Sequence, residues 1–244
     1  MRKYEIAVIS KGAFARTVRI YAPKKSTRAV IMHDGQNAFC DADAAFGKSW
    51  RVLDILKAAS IKNTAIIAVD SVAATRNDDY MPFPSEIPDI IKFDGHNAET
   101  YASYISEMLL PYLDKRFGFK RYAMLGSSAG AMFTLYYAAR RDERISAYGL
   151  FSTPLFPMKV ACEKFLSESV FDKNAYYCVY TGGNENTDGD TADLYVDDAV
   201  STVKSLRRSG ATDIDLIFDN GAEHDETFWR APEKAFFEKF SRLK

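Results

Sequence analysis

The sequence predicts an α/β fold in which a mostly parallel, eight-stranded sheet carries helices on both faces. Three observations predict it. Eight strand-like runs recur along the chain, several of them continuously apolar, as strands covered on both sides are. After the first two runs, helical stripes alternate with strands, the order that builds a doubly wound sheet. The 244 residues are 47% apolar and 14% aromatic, enough to fill a large core without disulfides.

In chain order, the strand-like runs fall at 4–9, 16–22, 29–33, 65–70, 122–125, 147–151, 176–181 and 214–219. Tyr101, Tyr104, Ile105, Met108, Leu109, Tyr112 and Leu113 mark one face of a helix that Pro111 should bend locally. A second stripe, Leu194, Val196, Val200, Val203 and Leu206, ends at Gly210, a suitable left-handed cap. A third helix begins near Trp229 and carries Phe236, Phe237 and Phe240. Segment 71–97, with Pro82, Pro84 and Pro88, lacks clear periodicity and reads as a long loop forming a wall or lid over the active crevice. Residues 1–244 form one domain in this reading, without repeats, and the chemistry gathers at the C-terminal edge of the strands.

Charge narrows the function. With 32 basic against 33 acidic residues, no field gathers nucleic acid or an anionic membrane surface, which leaves a small neutral molecule as the expected partner. A homo-oligomer stays open, because a dimer interface leaves no reliable mark in one sequence. Cys40, Cys162 and Cys178 form no Cys-x-x-Cys pair and read as buried small apolar residues. No stretch has the length of a signal core or a membrane span, so the expected location is cytoplasmic.

Gly126-Ser127-Ser128-Ala129-Gly130 fits G-x-S-x-G between the fifth strand and a helix beginning near Ala129. That context separates it from a helix-capping serine. In the α/β-hydrolase fold such a turn lifts the serine hydroxyl above the sheet while the helix N-terminus aims free N–H groups at the reacting oxygen. A serine hydroxyl needs a base, and the fold's chain order of Ser, acid, His puts that base after the last strand. His224 lies there, whereas His33 and His96 precede the serine and read as structural or cleft-lining. The acid should follow the seventh strand, where Glu185, Asp188 and Asp190 all stand. Glu185 comes soonest, with Asp188 next.

Asn184, Asn186, Asp188 and Gly189 imitate the start of a calcium loop, but Tyr195 occupies the twelfth position, where a bidentate glutamate is required. Neither a metal nor a cofactor is expected. Two N–H donors should face the developing oxyanion, one from Ala129 and one from the loop after the third strand, best met by Gln36 with Gly35 easing the turn.

These residues resemble the Putative esterase family related to esterase D, which includes feruloyl, acetyl-xylan and siderophore esterases and mycolyltransferases. The resemblance runs from about Arg16 to the C-terminus. It rests on Met32-His33-Asp34-Gly35-Gln36-Asn37, on Val69-Asp70 followed by Arg76 and Tyr80-Met81-Pro82, and on Leu110-Pro111-Tyr112-Leu113-Asp114. To these it adds the serine turn, Gly182-Gly183-Asn184-Glu185, and Glu223-His224-Asp225-Glu226 with Trp229. It implies Ser128, Glu185 and His224 as the triad and the Gln36 and Ala129 amides as the oxyanion hole. It also makes Asp34, Arg76, Tyr80 and Trp229 candidates for substrate binding. Ala131 departs from the pair of glycines common in the family.

The leading expectation is a serine esterase working through an acyl-enzyme on a small or sugar-linked ester. Acyl transfer by the same triad and an inactive binding protein of the same fold are the alternatives.

Overall fold

The computed structural model describes residues 3–185 and 192–243. Its strands are β1 (Glu5–Lys11), β2 (Phe14–Tyr21), β3 (Arg28–Met32), β4 (Thr64–Val69), β5 (Arg121–Ser127), β6 (Ile145–Phe151), β7 (Tyr176–Gly182) and β8 (Ile214–Asp219). They form one sheet in the order β1-β2-β4-β3-β5-β6-β7-β8. β2 pairs antiparallel with β1 and β4, and every later pairing is parallel. The apolar runs of β4 and β7 are buried at every residue, as strands covered on both faces must be.

The helices are α1 (Val52–Ala58), α2 (Arg76–Tyr80), α3 (Ala98–Tyr104), α4 (Leu110–Phe117), α5 (Ala129–Ala138), α6 (Lys159–Glu168), α7 (Ala192–Arg208) and α8 (Glu226–Phe240). Side-chain alternation splits the core into two layers. Ile31 and Ile67 pack with Tyr101, Leu113, Phe133 and Val203 on one side. Val30, Met32, Ile66 and Ala68 pack with Trp50, Leu56, Trp229 and Phe237 on the other. The sheet therefore holds its C-terminal edge rigidly between α3 to α7 on one face and α1 with α8 on the other.

The bend expected at Pro111 is a π-helical turn, Ile105–Leu109, that joins α3 to α4. Proline has no N–H to give the preceding turn, and the wider turn shifts the hydrogen-bond ladder past it. Gly210 caps the end of α7 with φ 86. Two sequence readings need correction. Segment 71–97 is not wholly loop, because α2 lies within it and Tyr80, Met81 and Phe93 are buried. Cys40 is exposed, unlike Cys162 and Cys178, since it stands in the turn-rich stretch after the third strand rather than in an element. Among the described residues no helix is long and apolar enough to cross a membrane.

Candidate active site

Ser128 stands between β5 and α5 with φ 53 and ψ −131, a strained conformation for a residue bearing a side chain. Its N–H donates to the Phe151 carbonyl at 2.9 Å, which pins the turn to β6. Gly126 is obligatory through close approach: a Cβ there would lie 2.3 Å from the Gly130 carbonyl carbon, while one on Gly130 would crowd His33 Cβ at 3.1 Å. Ser128 is partly exposed at the start of α5. The Ala129 amide opens that helix and has no backbone partner among the described residues.

The Gln36 amide likewise has none. Its position is set by its own side chain, whose Nε2 donates to Ser71 Oγ at 2.8 Å and whose Oε1 accepts from the Ser71 N–H at 3.0 Å. The preceding Asp34 sits in the left-handed region with φ 52. Thus the loop after β3 is tied to the end of β4, next to the serine turn.

Glu185 follows β7 and its side chain is fully buried. Oε1 accepts from the Gly182 N–H and from Ser152 Oγ, each at 2.5 Å. Oε2 lies 2.7 Å from His224 Nδ1. An ionised carboxylate can only accept, so the shared hydrogen is carried on Nδ1 and Nε2 is free to take a proton. His224 lies between β8 and α8, its ring flanked by Tyr195 at 5.1 Å and Trp229 at 5.0 Å between centroids. Among the described residues no hydrogen bond joins Ser128 Oγ to His224. The two side chains do line the same two cavities. Asp188 and Asp190 lie outside the described residues, as do Asn186 and Gly189 of the calcium-like motif.

The cavities meet at Ser128, His224 and Arg76. The larger, about 640 Å³, is walled by Met81, Ile87, Ile90, Ile91, Phe156 and Pro157. The smaller, about 520 Å³, is lined by Asp34, Gln36, Asn37, Ser71 and Glu226 beside Phe46 and Trp229. Arg76 stands at the junction. Its Nε and Nη2 clamp both carboxylate oxygens of Asp34 at 2.8 and 2.7 Å, and Nη1 has no partner among the described residues. Burial opposes the Asp34 charge, yet the guanidinium outweighs it and holds the carboxyl below its usual range. Glu226 accepts from Asn37 Nδ2 at 2.8 Å; burial, with Asp225 and Asp34 nearby, pushes its carboxyl up.

Helix α2 places Arg76 because a buried ion pair, Arg16 Nη2 to Asp79 Oδ2 at 2.6 Å, fastens that helix to β2. Two of the substrate-binding candidates look different in place. Tyr80 is 2% exposed and lines neither cavity; its hydroxyl accepts the Asp34 N–H at 3.2 Å, so it braces the loop after β3 from behind. Trp229 reaches the smaller cavity, but its single polar atom is spent on Ser152 Oγ, leaving only ring surface for a ligand. His33 is buried, and that burial depresses its ring to about 3, so it is neutral. It packs among Tyr80, Tyr101 and Phe133, while His96 is exposed. Sequence reasoning missed Ser152, a lone serine after β6 with no motif around it.

Comparison with known families matches residues 14–243 to the family described as Putative esterase. No curated protein matches the sequence. Among solved structures, similar chains include an IroE-like serine hydrolase from Shewanella oneidensis, with 14% identity and a TM-score of 0.75, covering 98% of this chain and 80% of that one. The siderophore hydrolase EstA from Aspergillus nidulans has 17% identity and a TM-score of 0.70, covering 98% of this chain and 95% of that one. The enterobactin esterase FES from Shigella flexneri has 17% identity and a TM-score of 0.71, covering 98% of this chain and 59% of that one. At these identities the likeness is one of fold, the α/β-hydrolase fold.

Proposed function

The chain belongs to the Putative esterase family, and from that premise we propose that it hydrolyses carboxylic esters with Ser128 as nucleophile, His224 as base and Glu185 as the orienting acid. The observation that carries this reading is the buried Glu185 carboxylate held on His224 Nδ1 at 2.7 Å, with the imidazole and Ser128 bordering the same cavities.

In the first half-reaction the Ser128 hydroxyl adds to the acyl carbon and its proton passes to His224 Nε2. Glu185 stabilises the imidazolium that results. The negative charge gathering on the former carbonyl oxygen is met by the Ala129 and Gln36 amides, donors already fixed before reaction begins. Collapse releases the alcohol, which takes the proton back from Nε2. Water then enters and adds to the acyl carbon as His224 takes its proton, and the acid leaves as that proton passes from Nε2 back to Ser128 Oγ.

The paired cavities suggest a two-sided ester. A hydrocarbon portion suits the isoleucine-walled chamber. A hydroxyl-bearing portion suits the smaller one, whose carboxylates and amide oxygens offer acceptors. Arg76 Nη1, aimed by Asp34, would hold a substrate oxygen at the junction. Names among the structural neighbours, siderophore hydrolase and enterobactin esterase, agree with ester cleavage.

The test is Ser128→Ala with a short p-nitrophenyl ester and a fluorophosphonate probe. Turnover should drop by about a thousandfold or more, and the probe should label only the parent protein. Undiminished turnover in the folded variant would remove Ser128 from the mechanism, and an unlabelled, inert parent would leave a binding protein.

A further inference from the structure

Ser152 follows β6, is fully buried, and holds φ 52. Glycine would occupy that conformation without strain, so something about the side chain must justify a serine there. The side chain stands between two groups that fix its hydrogen. The Trp229 indole can only donate, and its Nε1 lies 2.8 Å from Ser152 Oγ. The hydroxyl must therefore accept from the indole and send its own proton to Glu185 Oε1, 2.5 Å away.

With the Gly182 N–H also on Oε1, that oxygen has two donors and cannot turn. Oε2 is left facing His224 Nδ1. The Trp229 ring meanwhile stands edge-on to the imidazole, at 84°. It is itself stacked on Trp50 at 5.6 Å between centroids, and Trp50 on Phe151, the residue before Ser152.

We infer that Ser152 and Trp229 are positioning residues for the Glu185–His224 pair: the indole sets the serine hydroxyl, the hydroxyl sets the carboxylate, and the same indole borders the ring. The inference rests on the proposed role of Ser128 and His224. Ser152 lines neither cavity, and Trp229 borders the smaller one with its ring alone, while its N–H faces Ser152.

The experiment sets Ser152→Gly against Ser152→Thr, with kcat, KM and the thermal midpoint measured on the same p-nitrophenyl ester. Glycine relieves the backbone and removes the hydroxyl; threonine keeps the hydroxyl and worsens the backbone. Positioning predicts a crossover. Ser152→Gly should be the more stable of the two yet lose about tenfold to a hundredfold in kcat, the worth of a hydrogen bond to a charged group, with KM nearly unchanged. Ser152→Thr should be less stable and retain more of the parent kcat. A purely structural serine predicts that kcat follows stability, with threonine the worse on both counts. Trp229→Phe, which keeps the stacked ring and deletes the N–H, supplies a readout that does not require either Ser152 variant to fold; its kcat should fall severalfold at constant KM. Parent kcat in Trp229→Phe, together with parent kcat in any Ser152→Gly that folds, would overturn the inference. Activity surviving in Ser128→Ala would instead strike the reading beneath it.

Discussion

At the scale of single residues, Glu233 carries the plainest stability prediction. It lies on the buried face of α8 with no exposure, and among the described residues neither carboxyl oxygen has a hydrogen-bond partner. Burial pushes its carboxyl well above the ordinary value, disfavouring the charged form. An unpartnered buried polar group costs about 1–3 kcal/mol. Glu233→Met, similar in length and apolar, should recover part of that, raising the thermal midpoint by about 2–4 °C for each kcal/mol in a chain of this size. A lower midpoint would mean that the carboxyl meets a need its surroundings do not reveal. Much of the site is legible from single residues. Ser128 is marked by a motif in its proper context, and His224 by its place after the last strand. Order alone separates Glu185 from Asp188; Glu185 lies 2.7 Å from His224, while Asp188 falls outside the described residues. Ser152 and the bracing role of Tyr80 left no mark, since a left-handed backbone and a hydroxyl aimed at a main-chain N–H have no signature in sequence.

At the scale of elements, the strands were legible because continuous apolar runs are what burial on two faces demands. The short helices were not. α2 reads Arg-Asn-Asp-Asp-Tyr, with no apolar stripe to reveal it; the ion pair from Asp79 to Arg16, 63 positions away, holds it in place. A second element contact has a measurable pH signature. Asp198 on α7 accepts the Leu155 and Phe156 N–H groups at 2.7 and 2.9 Å, tying α7 to the turn whose Pro154, Phe156 and Pro157 wall the larger cavity. Burial outweighs these bonds and pushes its carboxyl up to about 6, above the ordinary 3.8. A group raised in the folded state contributes its full stability below 3.8 and loses it as pH climbs through about 6. Asp198→Asn keeps an oxygen for both N–H groups and cannot ionise. Its thermal midpoint should gain on the parent as pH rises from about 4 to about 7. A gain that shrinks over the same interval would contradict the assignment.

At the scale of the whole molecule, the sheet aligns the two cavities on either side of one serine, and segment 71–97 forms much of the larger wall. That segment is fastened along its length. The Glu86 N–H donates to the Pro157 carbonyl at 2.8 Å, and its carboxylate accepts from Val160 and Ala161 at the start of α6. Ile90 is 82% exposed at this wall, so its replacement should spare the fold while trimming the chamber. Ile90→Ser should raise KM for a long-chain p-nitrophenyl ester by about threefold to tenfold and leave the acetate ester unchanged, as the loss of a few methylene contacts requires. Equal effects on both esters would place the hydrocarbon elsewhere. The chain order of the site has one more consequence. The serine turn and its helix are complete by residue 138, whereas the carboxylate, the imidazole and the indole arrive at 185, 224 and 229. On the proposed roles, a growing polypeptide leaving the ribosome would expose the Ser128 hydroxyl before its base exists, and would gain reactivity only once His224 and α8 are in place, so that synthesis itself would withhold the chemistry from unfinished protein.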